Sequence, residues 1–248
     1  MRNIMIKIEY DGTNYNGWQI QPNGITIQEK IMKAIKRLTG ENINLHGSGR
    51  TDAKVHAREQ VANFYTNSNI PTKRFAVAIN HFLPQDIAIM EANEMPMEFH
   101  ARYWAIGKAY SYQIHNFPQR SALLRNYSYH IPYSLDMEKI EKAAAIFIGT
   151  HDFKGFMSSG SSVKNTNRTI HDIKIEKEKD RIWITFEGNG FLYNMVRIMV
   201  GTLVEIGSNK RDLAKAREAL ETGGRNKAGH LAPAQGLFLD KVFYPLTR

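Results

Sequence analysis

The sequence predicts an α+β protein made of two ferredoxin-like (RRM-like) split βαβ domains. Two observations predict this class. The strand and helix patterns follow the order β-α-β-β-α-β in the first half of the chain, and the same order returns in the second half. Each domain of this kind has an antiparallel sheet with helices on one side. We therefore expect two open sheet faces that border a central cleft able to bind a long ligand.

The first predicted domain covers residues 1–105. Alternating apolar residues over 4–10 indicate a half-buried strand. In the helix that follows, Thr26 is the expected N-cap, Glu29 stands three residues further on, and Gly40 ends the helix. Apolar runs predict two short strands at 43–46 and 60–65, a second helix within 72–83 and a strand over 86–94.

The second predicted domain covers residues 106–248 and repeats this order. Its predicted elements are a strand at 108–115, a helix at 136–148, strands at 169–177 and 181–188, a helix at 192–206 and a last strand at 236–244. A helix over 211–222 is an addition to the repeated pattern.

Composition narrows the classes of function. The formal net charge is +9, which favours a polyanionic partner such as nucleic acid and predicts that the central cleft is basic. The absence of cysteine excludes disulfides, thiolate metal sites and cysteine nucleophiles. Because the sequence has neither a signal-peptide core nor a run of roughly 18 apolar residues, we expect a cytoplasmic protein with no membrane association.

Residues 47–58 surround a single carboxylate with cationic side chains. Asp52 is accompanied by Arg50, Lys54, His56 and Arg58, in a loop between two predicted strands. Nearby positive charge keeps a carboxylate ionised, as a nucleophile requires, and attracts phosphates. Glycine, serine and aspartate are also ordinary turn residues, and an Asp beside an Arg is often a solvated ion pair. Both interpretations remain open on charge alone.

Arg197 is a second candidate, because it lies in a predicted helix that is apolar nearly all round. A guanidinium in such surroundings needs a partner, and a carboxylate is the expected one. Gly201, one turn later, leaves space for another segment to approach. Alternatively, Arg197 extends to water or pairs with Glu205.

Aromatic and cationic residues are interleaved near the start of the second half. Tyr103, Trp104, Tyr110 and Tyr112 alternate with Arg102 and Lys108, a mixture that suits stacked bases and phosphates. Because Tyr110 and Tyr112 share one strand face, we expect at least one of them in the core. Neither a metal-ligand spacing nor a phosphate-binding glycine motif is present, so we predict no metal and no cofactor.

Blocks along almost the whole chain closely resemble the TruA-type tRNA pseudouridine synthases. These blocks are YDGTNYNGWQIQPNGITIQ at 10–28, GRTDAKVHA at 49–57, FHARYWAIGKAYSY at 99–112, HDFKGF at 151–156, NGFLYNMVRIMVGTLVEIG at 189–207 and APAQGLFLDKVFYP at 232–245. The resemblance implies isomerisation of uridine to pseudouridine in the anticodon stem-loop of tRNA, at tRNA positions 38 to 40, by a homodimer without a cofactor.

The resemblance also implies roles for four residues. It makes Asp52 the catalytic nucleophile, although removal of the ribose 2′ proton by Asp52 on a glycal path stays open. Tyr110 corresponds to the residue that lies against the target base. Arg197 corresponds to the arginine that pairs with the aspartate, and Arg50 to the arginine that holds the flipped-out nucleotide.

Two positions depart from the family pattern. Lys54 stands where family members commonly have glycine, and Ile20 stands where they commonly have a basic residue. The alternatives are therefore a synthase of shifted tRNA specificity and a paralogue that binds structured RNA without catalysis. A metal-dependent nuclease built on Asp52 lacks a convincing second carboxylate ligand in the sequence.

Overall fold

The computed structural model describes residues 1–160 and 163–245, and they form a mixed α+β structure of two compact units. The first unit contains Met1–Ile106 together with the described residues from Phe238 onward, and the second contains Gly107–Leu237. The predicted boundary at 105 lies next to this division. The last strand, which the sequence analysis assigns to the second domain, belongs to the first unit.

The first unit begins with the predicted elements in the predicted order. They are β1 (Arg2–Tyr10), α1 (Ile27–Thr39), β2 (His46–Gly47), β3 (His56–Thr66), α2 (Thr72–Asn80) and β4 (Ile87–Met95). Strands β4, β1 and β3 lie side by side as antiparallel neighbours, and the short β2 pairs antiparallel with β3.

The ends of α1 are confirmed by their capping geometry. The Thr26 side chain accepts a hydrogen bond from the backbone N–H of Glu29, and Gly40 takes a left-handed conformation with φ of 77°. Ile27, Ile31, Ala34 and Ile35 form the buried face of the helix.

The second unit contains the predicted strands and helices and two further strands. Its elements are β5 (Gly107–Asn116), β6 (Tyr129–Ile131), α3 (Met137–Ala145), β7 (Gly149–Asp152), β8 (Asn167–Glu178), β9 (Arg181–Gly188), α4 (Met195–Gly207) and α5 (Leu213–Thr222). Strands β5, β9, β8 and β7 are antiparallel neighbours in that order. The sequence analysis missed β6 and β7 because three or four residues carry too little alternation to detect.

The expectation of purely antiparallel sheets is wrong at two pairs. The last strand, β10 (Leu237–Phe243), runs parallel to β3 with Phe238 opposite His56, and β6 runs parallel to β5. Neither pair is joined by a tight hairpin, which would impose the antiparallel direction, and the connection from β5 to β6 is long enough for a crossover. Within the described residues, no helix combines the length and the apolar character that a membrane span needs.

Candidate active site

Asp52 lies in the loop between β2 and β3, as predicted. The Asp52 side chain is half-buried, and its neighbour Thr51 is buried with its hydroxyl 2.7 Å from the Tyr10 hydroxyl. The backbone N–H of Val55 donates to the Asp52 carbonyl at 3.1 Å and closes a tight turn. Lys54, inside this turn, has φ of 66° in the left-handed region that favours glycine. This conformation gives a physical reason for a glycine at this position.

The segment 10–18 holds the Asp52 loop through its backbone. The Trp18 N–H donates to the Thr51 carbonyl at 3.1 Å, and the Lys54 N–H donates to the Tyr15 carbonyl at 3.2 Å. These two bonds bracket Asp52. The sequence blocks 10–28 and 49–57 are therefore one structural feature.

Two glycines allow this close approach. A Cβ atom at Gly12 would lie 2.0 Å from the Val55 carbonyl oxygen, and one at Gly17 would lie 2.5 Å from the Thr51 carbonyl oxygen. Both distances are far below van der Waals contact, so any side chain at either position would displace the loop. Gly17 also has a positive φ of 87°.

Two of the four cations near Asp52 in sequence have partners elsewhere in the first unit. His56 is buried, its ring stacks on Phe238 with centroids 4.7 Å apart, and its Nδ1 accepts from the Gly12 N–H at 3.1 Å. Arg58 pairs with Asp240 and lies over the Phe238 ring. Arg50 and Lys54 are exposed. Arg58 is exposed as well, but its charge is paired with Asp240.

In the second unit, Arg197 lies on α4, which is buried along almost its entire length. Its Nε donates to the Ala232 carbonyl at 2.8 Å, and its Nη1 donates to the Asn194 side-chain oxygen at 2.8 Å. The Ala232 N–H returns a bond to the Arg197 carbonyl at 3.2 Å. These contacts fix the orientation of the guanidinium.

The segment 229–233 provides this anchor by lying closely along α4. A Cβ atom at Gly201 would be 1.9 Å from the His230 carbonyl oxygen, which confirms the predicted close approach. The Gly229 N–H donates to the Thr202 hydroxyl at 2.8 Å, and the His230 N–H donates to Glu205 Oε1 at 2.9 Å. The sequence analysis missed this segment as part of the site, although the block at 232–245 contains its end.

Glu205 binds Arg211 and His230, whereas the sequence suggested Arg197 as a possible partner. Its carboxylate binds the Arg211 Nε at 2.7 Å and contacts the His230 Nδ1 at 2.8 Å. Burial acts to raise the pKa of Glu205, but the hydrogen bonds from Arg211 and His230 outweigh it and hold the pKa below its usual value. Glu205 is therefore ionised at neutral pH and fixes the segment 229–233.

Tyr110 and Tyr112 lie on β5, and both are buried, which confirms the prediction that at least one of them is in the core. Tyr112 is fully buried and donates its hydroxyl to the Pro233 carbonyl at 2.6 Å, and burial raises its pKa well above the usual value. Tyr110 retains 8% exposure, and its ring packs edge-on against Phe191 at 5.1 Å. Tyr112 is thus a core residue, and Tyr110 is also buried, with the larger exposed fraction of the two.

Among the residues that the structure describes, no group of three or more histidine, aspartate or glutamate side chains is arranged to hold a metal ion. The chemistry available at the loop is that of a restrained carboxylate beside exposed cations.

Comparison with known proteins identifies the family. The family model for tRNA pseudouridine synthase matches residues 6–104 and 143–245. The chain is 52% identical to tRNA pseudouridine synthase A of Acetivibrio thermocellus and 51% identical to that of Thermoanaerobacter sp.. Each alignment spans 98% of this chain and 100% of the relative. The chain is also 51% identical to tRNA pseudouridine synthase A 2 of Clostridium perfringens, in an alignment that spans 98% of this chain and 100% of the relative.

Solved structures give a weaker likeness. A chain of the H/ACA RNP bound to a substrate RNA containing 2′-deoxyuridine aligns with 81% of this chain and 44% of its own length, at 11% identity and a TM-score of 0.37. No conclusion is drawn from a likeness at that level. On the family match and the full-length relatives, the chain belongs to the tRNA pseudouridine synthases, a family of isomerases.

Proposed function

We propose that the protein isomerises uridine to pseudouridine in the anticodon stem-loop of tRNA, at tRNA positions 38 to 40, with Asp52 as the nucleophile. The observation that carries the proposal is the restraint of Asp52 by backbone hydrogen bonds at Thr51 and Lys54 on either side of it. A carboxylate that must meet one sugar carbon gains rate from a fixed position, because less motional freedom is lost during the reaction. Family membership supplies the reaction class.

The proposed reaction replaces the bond from C1′ to N1 with a bond from C1′ to C5. The Asp52 carboxylate attacks C1′, and the uracil leaves through N1 with the bonding electrons. The uracil then turns in place, C5 attacks C1′, and the carboxylate departs. C5 loses its proton and N1 gains one, so the product is an isomer of the substrate.

We assign substrate binding to Arg50, Tyr110 and Arg197. Arg50 is exposed beside Asp52, where a guanidinium is suited to a phosphate of the flipped-out nucleotide. Tyr110 is buried at 8% exposure, and its assignment to the target base rests on the family resemblance and on the suitability of an aromatic ring for stacking on a base. The guanidinium of Arg197 is held by Ala232 and Asn194 in a fixed orientation. The net charge of +9 supports binding of the tRNA backbone, with an affinity that falls as salt rises.

The resemblance also leads us to propose a cytoplasmic homodimer whose units have the split βαβ fold. The neighbour relations of the first unit, in which β1 lies between β4 and β3 and β2 pairs with β3, support that fold assignment. Light scattering of the purified protein tests the dimer, and a monomer mass would contradict it.

Release of tritium from tRNA labelled at uridine C5 tests the reaction, because C5 loses its hydrogen. We expect release by the wild type, none by Asp52→Asn, and tRNA affinity of that variant within about tenfold, or about 1.4 kcal/mol, of the wild type. The matched control is Glu9→Gln, which removes an exposed carboxylate on β1 of the same unit and leaves release unchanged. Turnover near the wild-type rate in Asp52→Asn would remove Asp52 from the mechanism.

The same assay distinguishes the alternatives. An RNA-binding paralogue binds tRNA without any tritium release. A synthase of shifted specificity releases tritium from uridines outside positions 38 to 40, which sequencing of the modified tRNA locates. Ile20 and Lys54, both exposed, are the positions that favour this second alternative.

A further inference from the structure

Three aromatic rings of the first unit form a row, in which each ring is tilted against the next by 44° and 36°. The His46 and His100 rings have centroids 4.9 Å apart, and the His100 and Tyr103 rings have centroids 4.3 Å apart. Tyr103 ends the row with 76% of its surface exposed, whereas the two histidines are half-buried. We call His46, His100 and Tyr103 the aromatic platform. The exposed Tyr103 side chain offers an apolar ring face and a hydroxyl to a ligand.

The backbone beneath the platform is firmly anchored. Asn3 and Asn63 are fully buried, and the Asn63 amide donates to the Asn3 side-chain oxygen at 2.9 Å. Asn3 in turn donates to the Phe99 carbonyl at 2.9 Å, and Asn63 accepts from the Ala101 N–H at 2.9 Å. Because the residues on either side of His100 are fixed to β1 and β3, the imidazole is presented outward in a defined position.

The platform begins beside the Asp52 loop. His46 forms β2 with Gly47, which packs so closely on the Trp18 indole that an added Cβ would lie 2.5 Å from its nitrogen. The backbone N–H of Trp18 donates to the carbonyl of Thr51, the residue directly before Asp52. The row of rings therefore starts at the same scaffold that restrains the candidate nucleophile.

The charge pattern of the platform suits a nucleotide. Burial and the neighbouring His46 lower the pKa of His100, so its ring is neutral at pH 7. The His100 Nδ1 accepts from the Arg102 N–H at 3.1 Å, and Arg102 itself is exposed. A neutral ring next to an exposed guanidinium offers a stacking face for a base and a cation for its phosphate.

We propose that the aromatic platform binds an unpaired nucleobase of the RNA substrate, next to the nucleotide that enters the site of Asp52, and that Arg102 binds the adjoining phosphate. This proposal rests on the proposed function for the identity of the RNA. Tyr103 supplies the outer stacking face, and His100 and His46 hold the Tyr103 ring in place from behind.

Substitutions at Tyr103 test the proposal. Base-aromatic stacking contributes about 1–3 kcal/mol per base, so Tyr103→Ala is expected to raise the Kd for an anticodon stem-loop RNA roughly 5- to 150-fold. Its KM for tRNA rises in parallel, while kcat stays within about twofold of the wild type, because the platform does not touch the reacting bonds. Tyr103→Phe keeps the ring and restores both values. The control is Tyr133→Ala, which removes a tyrosine ring that is 38% exposed from the second unit, where it lies under Lys210.

Two further measurements complete the test. A fully paired RNA duplex of equal length binds Tyr103→Ala and the wild type equally, because it offers no unpaired base. If the wild type binds the stem-loop without releasing tritium and Tyr103→Ala binds it more weakly, the proposed role of the aromatic platform stands and the proposed function is refuted. An unchanged Kd in Tyr103→Ala, or a Tyr103→Phe variant as weak as Tyr103→Ala, overturns the proposal.

Discussion

The packing of the segment 229–233 on α4 makes Gly201→Ala a sensitive test of how Arg197 is held. The new Cβ would lie 1.9 Å from the His230 carbonyl oxygen, and ordinary contact begins at 3.4 Å, so the segment must move by about 1.5 Å. That shift exceeds what the 2.8 Å bonds from Arg197 to Ala232 and from Gly229 to Thr202 tolerate.

The loss of stability follows from these terms. Overpacking costs about 1–3 kcal/mol, and two broken hydrogen bonds add about 1 kcal/mol each, which gives roughly 3–5 kcal/mol. At about 2–4 °C per kcal/mol for a chain of this size, the thermal midpoint falls by about 10 °C. Gly190→Ala is the control, since its Cβ meets nothing nearer than 3.7 Å and its midpoint stays within about 2 °C of the wild type.

Activity should fall beyond the effect on stability, because Arg197 loses the carbonyl that orients it. Loss of one hydrogen bond to a charged group, about 1.5 kcal/mol, lowers kcat roughly tenfold in tritium release measured well below the midpoint. A Gly201→Ala protein that melts within about 2 °C of the wild type would refute the close packing of this segment on α4.

Three other outcomes follow from the structure. Lys54→Gly relieves a left-handed conformation that costs about 1–2 kcal/mol, but the freer unfolded chain of the glycine variant offsets about 0.4–1 kcal/mol of this gain. The thermal midpoint of Lys54→Gly therefore rises by about 1–3 °C, whereas that of Lys54→Ala does not rise. Glu205→Gln is less stable than the wild type at pH 7. Because the pKa of Glu205 is lowered in the folded state, its ionised form stabilises the fold above the usual pKa of 4.5, and this stabilisation is lost as the pH falls through the folded pKa. The thermal midpoints of the variant and the wild type therefore converge below about pH 4.5. Gly12→Ala displaces the Val55 carbonyl and abolishes tritium release. Gly40→Ala retains release, because it strains only the left-handed end of α1, where a Cβ meets nothing within 4 Å.

Local sequence signals were sufficient where a structure depends on neighbours in the chain. Thr26 and Gly40 define both ends of α1, and the turn residues before β3 correctly located the loop of Asp52. The pairing of β10 with β3 was not predictable in this way. The two strands are more than 170 residues apart, and no hairpin or repeat in the sequence specifies their parallel direction.

The burial of some aromatic residues could be predicted from the sequence, and that of others could not. Strand alternation correctly predicted that at least one of Tyr110 and Tyr112 lies in the core. The exposure of Tyr103 depends instead on the anchoring of the residues before it by Asn3 and Asn63. Those contacts span 38 to 96 residues of sequence, so no local pattern contains them. The same reason explains why the segment that orients Arg197 was missed.

In the sequence blocks 10–28 and 49–57, the glycines are therefore required mainly because the backbones of the two segments lie so close together. Gly12 and Gly17 have no chemical group to contribute, yet the carbonyls of Val55 and Thr51 occupy the space that a side chain there would need. Substitution at either glycine moves the loop and with it the carboxylate. Lys54, in contrast, is exposed and accepts a side chain at the cost of an unfavourable φ. A charge can thus be added to the loop at this position without moving Asp52, which is why we propose that Lys54 affects RNA specificity rather than the chemistry.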